Sequence, residues 1–348
     1  MDLHISVGSA YYDGSDWDDL VTYVQHADKI CVTSVWSAEA WGMEAVSSLG
    51  YLAHATKSIK LGSGIMQLSA RTPATTAMTA LSLNQISKGR FVLGLGASGP
   101  QVVEGLHGAP FARPLERLRE YVTIVRQGLS GERLNFEGAQ YVLPRPGGEG
   151  KALKLSLPPK PDLPIYLATL GEKSLELTGE IANGWMGTSF VSDRSEVLLD
   201  PIKKGAERAG RALSDIDLMI NAVVLVSEDV ESLIQSVKPR LAFSLGGMGS
   251  AKTNFYNAAY ARSGFEDVAE EVQSLWIAGK RDQAVAAVPD EMVLRTTFIG
   301  TEDMVRDRIR DHAAVGINGL RVGPTGKTAR DKIEHLEKCA DLIKTALE

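Results

Sequence analysis

VLGLGASGPQVVEG, residues 92–105, is the stretch on which the reading of the chain turns. Gly94, Gly96 and Gly99 spell G-x-G-x-x-G behind the apolar residues Phe91, Val92 and Leu93, the pattern of a dinucleotide-binding fingerprint. A Rossmann domain makes a second demand: an Asp or Glu about 20 residues further on, at the end of the next strand. That region reads RPLERLREYVTIVRQGL, and its Glu116 and Glu120 fall on a helical pattern. The motif also follows the fourth strand-like run of the chain, whereas a Rossmann fingerprint opens its domain. The Rossmann reading is therefore set aside, but the local physics survives. Gly96 and Gly99 admit close backbone approach, and Pro100 suits the first position of a helix. The free N–H groups of Gln101 and Val102 would then face an anion. Glycines needed only for tight packing remain the alternative.

Around this stretch, short apolar runs alternate with helical patterns. Strands are expected at His4–Gly8, Ser34–Trp36, Ile59–Met66, Phe91–Ala97, Pro164–Thr169, Gly184–Phe190, Leu218–Val226 and Gly319–Val322. Helical periodicity follows at Asp16–Lys29, Met43–Thr56, Pro73–Ile86, Pro114–Leu129, Glu172–Ala182, up to about Gly210, and Lys332–Ala346. Residues 130–163 break the rhythm with a hairpin turning at Glu137–Gly138 and a Pro/Gly-rich stretch. Residues 229–293 are helical and longer than one crossover needs. Eight strand–helix units with nearly continuous apolar strands predict an α/β protein, a (β/α)8 TIM barrel forming one domain over 1–348 with insertions at about 130–163 and 229–293. A doubly wound sheet with a cap is the competitor.

Composition narrows the function. Of 348 residues, 44% are hydrophobic and 23% charged, as in a globular protein, and the formal net charge of −6 argues against nucleic acid as a partner. Two distant cysteines, Cys31 and Cys339, fit a reducing cytoplasm. The six histidines lack the i, i+4 spacing of a zinc site, so no metal is expected. No window approaches the roughly 18 apolar residues of a membrane span, and the first residues lack a signal-peptide pattern.

Four segments then resemble one family: LGSGIMQLSARTP (61–73), SKGRFVLGLGASGPQVVEGLHG (87–108), PIYLATLGEKSLELTGEIANGW (164–185) and IGTEDMVRDRIRDHAAVGINGLRV (299–322). They are similar to the luciferase-like superfamily, above all its coenzyme F420-dependent oxidoreductases, and S-G-P-Q-V-V-E-G-x-H-G is the most specific piece. The resemblance implies a (β/α)8 barrel with insertions, a homodimer, a deazaflavin cofactor and hydride transfer with a small-molecule substrate. It implies a non-prolyl cis peptide between Gly64 and Ile65 backing the ring. It places the cofactor phosphate on Ala97, Ser98, Gly99, Pro100, Gln101 and Val102, with a second arm at Ala168, Thr169, Leu170, Gly171 and Glu172, and Met186 beside the ring or ribityl chain. Arg71 and Lys173 are candidates for a basic lip toward the coenzyme's acidic tail.

The chain departs from members that oxidise sugar phosphates. Where they carry an acidic residue followed by histidine, this chain has Glu39 then Ala40, and Pro100 stands where they carry a glutamate. Glu39, beside Trp36 and Trp41 at a strand end, is the best remaining titratable group. It is expected either as a partly desolvated general acid or as a structural carboxylate. Tyr11, Tyr12 or water is the alternative proton source. Tyr11, Trp41, Met66, Trp185 and Phe190 fall at or beyond strand ends and suggest an apolar pocket for a ketone, enone, imine, aldehyde or alcohol. Two alternatives stand beside this reading: an FMN-dependent monooxygenase of the same superfamily, and a non-catalytic F420-binding paralogue. A hydrolase is disfavoured, because G-A-S-G-P breaks the G-x-S-x-G elbow.

Overall fold

The structure is a computed structural model that describes residues 1–8 and 16–348. Its strands are β1 (Asp2–Val7), β2 (Ser34–Ser37), β3 (Lys60–Ser63), β4 (Met66–Gln67), β5 (Phe91–Gly96), β6 (Phe136–Glu137), β7 (Val142–Leu143), β8 (Ile165–Leu167), β9 (Gly184–Gly187), β10 (Asp217–Ala222), β11 (Val224–Val226), β12 (Phe298–Gly300) and β13 (Gly319–Val322). Each of the eight expected strands is present, and helices follow them in the order the periodicity predicts. The fold is a (β/α)8 barrel.

The chain divides into two compact units, residues 6–98 with 102–168, and residues 1–5 with 99–101 and 169–348. Where one domain was expected, the chain passes from one unit to the other at four points. This explains why no composition shift or linker marks a boundary. In the first unit β2 pairs with β3, β3 and β4 with β5, and β5 with β8, all parallel. In the second, β1 pairs with β13, β13 with β10, and β10 with β9, again parallel.

Helix Pro73–Ile86 has proline in its first turn and Thr72 as its N-cap, whose hydroxyl accepts from the Thr75 N–H. Helix Pro114–Leu129 also opens on proline and buries Leu118, Tyr121, Val122, Val125 and Leu129, one face at helical spacing. Its Glu120 answers the Rossmann question. The carboxylate accepts the backbone N–H groups of Ala139, Gln140 and Tyr141, and so closes the β6–β7 hairpin instead of meeting a ribose. The turn lies at Gly138–Tyr141, just past the expected position.

Residues 230–296 form a helical insertion with its own apolar core, including Leu241, Leu245, Phe265, Val272, Met292 and Val293. Strand β12 and helix Glu302–Ala314 were not expected. β12 has three residues and pairs only with β11, too short for a periodicity signal. No described helix is long and apolar enough to cross a membrane. No cluster of three or more metal-binding side chains occurs among the described residues.

Candidate functional site

In the first unit the chain after β3 contains a cis peptide between Gly64 and Ile65, at the expected bond. Ile65 explains one of the fingerprint glycines. A Cβ on Gly96 would lie 3.1 Å from Ile65 Cδ1 and Cγ1, so side-chain-free backbone at 96 is what lets the Ile65 bulge pack against β5. Below it, Ser63 Oγ bonds both the N–H and the carbonyl of Gly94, fixing β3 to β5. Gly62 is equally constrained, since a Cβ there would reach within 2.2 Å of the Trp36 ring. Trp36 packs on Tyr166 with ring centroids 5.3 Å apart and donates its indole N–H to Ser34 Oγ.

Beside this bulge lies a polar cluster. Gln67, on β4, donates its side-chain amide to the carbonyls of Glu39 at 3.0 Å and Ala40 at 3.2 Å. Its backbone N–H points at Glu39 Oε2 at 3.3 Å. Arg71 Nη1 meets the same oxygen at 2.5 Å, and Arg71 Nη2 reaches Glu44 at 3.4 Å. The Tyr121 hydroxyl donates to the Arg71 carbonyl. Glu39 pulls the Arg71 guanidinium above its ordinary range, chiefly through this bond. With side-chain exposures of 9% for Glu39 and 16% for Arg71, the two form a largely buried ion pair. Glu39, expected as either a general acid or a structural carboxylate, therefore sits in the second arrangement, a paired anion.

The cluster also contains a residue the sequence reading passed over. His107 Nε2 lies 3.2 Å from Gln67 Oε1. Because both carbonyl acceptors take the Gln67 NH2 group, the oxygen faces His107, and His107 must donate through Nε2–H. His107 was counted with five others as scattered. The usable signal was its place in the EGLHG run, directly after the fingerprint.

The fingerprint continues into a turn. Ser98 is left-handed, with φ +60, and a Cβ on Gly99 would meet open space. Pro100 opens the short helix Pro100–Gly105, so the N–H groups of Gln101 and Val102 have no acceptor within it. Of the predicted anion contacts, Ala97, Ser98, Gly99, Pro100 and Val102 are half-buried and Gln101 is exposed. In the second unit the Gln101 amide donates to the Gly249 carbonyl at 2.8 Å.

The second predicted arm occupies the turn before helix Glu172–Ile181. Thr169 bonds the Thr178 hydroxyl at 2.7 Å, and its carbonyl accepts the Trp185 indole N–H at 2.9 Å. Leu170 offers its carbonyl to Arg262. Ala168 and Gly171 are half-buried, Glu172 is exposed, and Met186 on β9 is buried.

The predicted pocket residues are placed otherwise than an open pocket requires. Met66, Trp185 and Phe190 are buried in packing, with Trp185 and Phe190 edge to face, and Trp185 serves to hold the Thr169 turn. Trp41 is exposed. Tyr11 and Tyr12 lie outside the described residues. Both candidate lip residues are already paired: Arg71 as above, and Lys173 with Glu176 at 3.0 Å. Glu176 is a buried carboxylate that also meets Lys204 and Arg208. Lys204, then Lys173, hold it down to about 2.

Comparison with known proteins identifies relatives along nearly the whole chain. A protein of Mycobacterium tuberculosis provisionally named a coenzyme F420-dependent oxidoreductase is 37% identical over 330 residues, covering 92% of this chain and 94% of its own. The 5,10-methylenetetrahydromethanopterin reductase of Archaeoglobus fulgidus is 28% identical over 322 residues, covering 92% and 94%. The solved F420-dependent tetrahydromethanopterin reductase of Methanopyrus kandleri superposes with a TM-score of 0.78 at 24% identity, covering 97% of both chains, and so shares the fold. The model of the luciferase-like monooxygenase family matches residues 3–319, and the chain belongs to that family.

Proposed function

We propose that this chain is a coenzyme F420-dependent oxidoreductase that transfers hydride between the deazaflavin C5 and an apolar C=O, C=N or C=C group of a small molecule. The observation that carries the reading is the turn before helix Glu172–Ile181, where Thr169 is held by Thr178 and Trp185 and the helix start has no side-chain cap. The relatives named for F420 or for methylenetetrahydromethanopterin reduction support it. When bound, the deazaflavin supplies a two-electron hydride carrier that reacts poorly with oxygen.

The protein's own work is positioning and proton handling. In the second unit the backbone N–H groups of Gly99, Gln101 and Thr169–Glu172 would hold the phosphate, with Met186 in the same unit. Fixing the reacting carbons at near-attack distance and excluding water provides the rate. The polar cluster favours an uncharged substrate, because its arginine is committed to Glu39 and Glu44 and has no fork free for a sugar phosphate. We place the transferable proton on His107 Nδ1, with Nε2–H anchored on Gln67, and assign Glu39 to the ion pair that fixes Gln67. The family pattern also leads us to expect a homodimer in the cytoplasm.

The test is a fluorescence-quench titration of the purified protein with F420, with FMN run in parallel. Micromolar binding of F420 and none of FMN is the expected outcome. Binding of FMN alone would move the chain to the oxygen-using branch.

A further inference from the structure

The coenzyme's charged arm needs cations, and the two that the sequence offered are spent on Glu39, Glu44 and Glu176. Arg262 is not spent. No carboxylate among the described residues pairs with it, and its side chain is exposed. Its Nη2 donates to the Leu170 carbonyl at 2.5 Å, which seats the guanidinium on the backbone of the turn before helix Glu172–Ile181. Among the described residues Nε and Nη1 have no hydrogen-bond acceptor.

The local backbone is built for this placement. Arg262 lies at a kink between two helices, Ala261–Phe265, where Gly264 takes φ +94 and the Ser263 hydroxyl donates back to the Ala259 carbonyl. A second guanidinium flanks the same kink: a Cβ on Gly264 would lie 3.7 Å from Arg194 Nε and 3.9 Å from its Nη2. Arg194 meets the Glu196 carboxylate only loosely, at 3.8 Å. The insertion that carries Arg262 also accepts the Gln101 amide at the Gly249 carbonyl. The insertion thus meets the Gln101 side chain through the Gly249 loop and the Leu170 carbonyl through Arg262, both beside backbone assigned to the phosphate. In a chain of net charge −6, a pair of guanidiniums without strong carboxylate partners is a local attraction for an anion.

We propose that Arg262, with Arg194 beside it, binds the anionic arm of the coenzyme, the phosphodiester and carboxylates beyond the ribityl chain, and that the 230–296 insertion serves to present it. This rests on the F420 reading above. Arginine suits the role because one Nη anchors the planar fork while the remaining edge stays set to donate to paired anionic oxygens.

The experiment is a quench titration of the full chain at low salt with three ligands. These are the ring–ribityl compound without phosphate, the phospholactyl form without glutamates, and F420 with several glutamates. The wild type is expected to gain about tenfold or more in affinity from the first to the last, one charge-assisted contact's worth. Arg262→Met should lose that gain yet bind the ring–ribityl compound as the wild type does. Arg262→Lys should keep part of it, and Arg262→Glu should fall below Met. Circular dichroism checks the fold, and the wild-type series tests the proposal even if a variant fails to fold. Loss at the phospholactyl step assigns the phosphate as partner; loss only with glutamates assigns the carboxylates. A wild type that binds all three equally, or an Arg262→Met protein that keeps the full gain, overturns the proposal and leaves the F420 reading standing. A wild type that binds none of the three overturns the F420 reading itself.

Discussion

Gln67 and Arg262 each place a polar side chain beside residues of the candidate site, but they are held in opposite ways. Gln67 is buried on a strand, donates to Glu39 and Ala40, accepts from His107, and sits over an ion pair that Tyr121 supports from behind. Arg262 sits on a helical insertion, exposed, and holds its target through a bond to one carbonyl. The first arrangement over-determines its geometry, which suits a group that must keep a reacting proton in place. The second leaves the rest of the guanidinium without a partner among the described residues, which suits a group that meets a charged ligand.

The comparison breaks most visibly at Arg71. Arg71→Met leaves the Glu39 carboxylate without its cation and should cost about 3 kcal/mol in urea unfolding, because removing one partner of a buried pair strands the other. The double variant Arg71→Met with Glu39→Gln should recover most of that loss. A single variant that loses less than about 1 kcal/mol would show that the cluster is not over-determined.

His107→Phe separates chemistry from support. Stability should fall by about 1–2 kcal/mol, because the buried Gln67 Oε1 loses its donor, while the fold is kept. F420 affinity should hold, while turnover falls about a hundredfold, the usual worth of a general acid or base. The pH–rate profile should lose one limb. An unchanged rate and profile would return the proton to water.

The smallest effect concerns acid. Burial pushes the Glu44 carboxyl up, but hydrogen bonds from Ser47 and Val46 and the Arg71 charge hold it, on balance, below its ordinary value. A depressed carboxylate contributes stability that is fully present above the unfolded value of 4.5 and is lost as pH falls through the folded value. Unfolding free energy should therefore drop below pH 4.5, and Glu44→Gln should flatten part of that slope. Identical acid limbs in wild type and variant would remove Glu44 from the account.

Much of the fold was legible because it is local. Strand runs such as FVLGLG show as unbroken apolarity, and Pro73 and Pro114 announce helix starts that the structure places at those residues. The glycine fingerprint was legible as backbone access, but its reasons proved distinct: Gly96 clears Ile65, whereas Gly99 faces open space. Partnerships were not legible. Arg71 is 32 residues from Glu39, and His107 is 40 from Gln67, distances at which no periodicity links two side chains. The same blindness made Arg71 and Lys173 look available, since nothing in the local sequence shows that Glu39 and Glu176 have claimed them.

The bond from Gln101 to Gly249 has a consequence in time. These residues are 148 apart in the chain, and the tripeptide Gly99–Gln101 makes its home contacts with residues that follow 168. At a synthesis rate of about 5–20 residues per second, the fingerprint emerges from the ribosome roughly 7–30 seconds before the carbonyl that will anchor it. The nascent chain carries its most recognisable motif unfinished through a large part of its own synthesis. A shortened chain that ends before the insertion would display the signature without the means to use it.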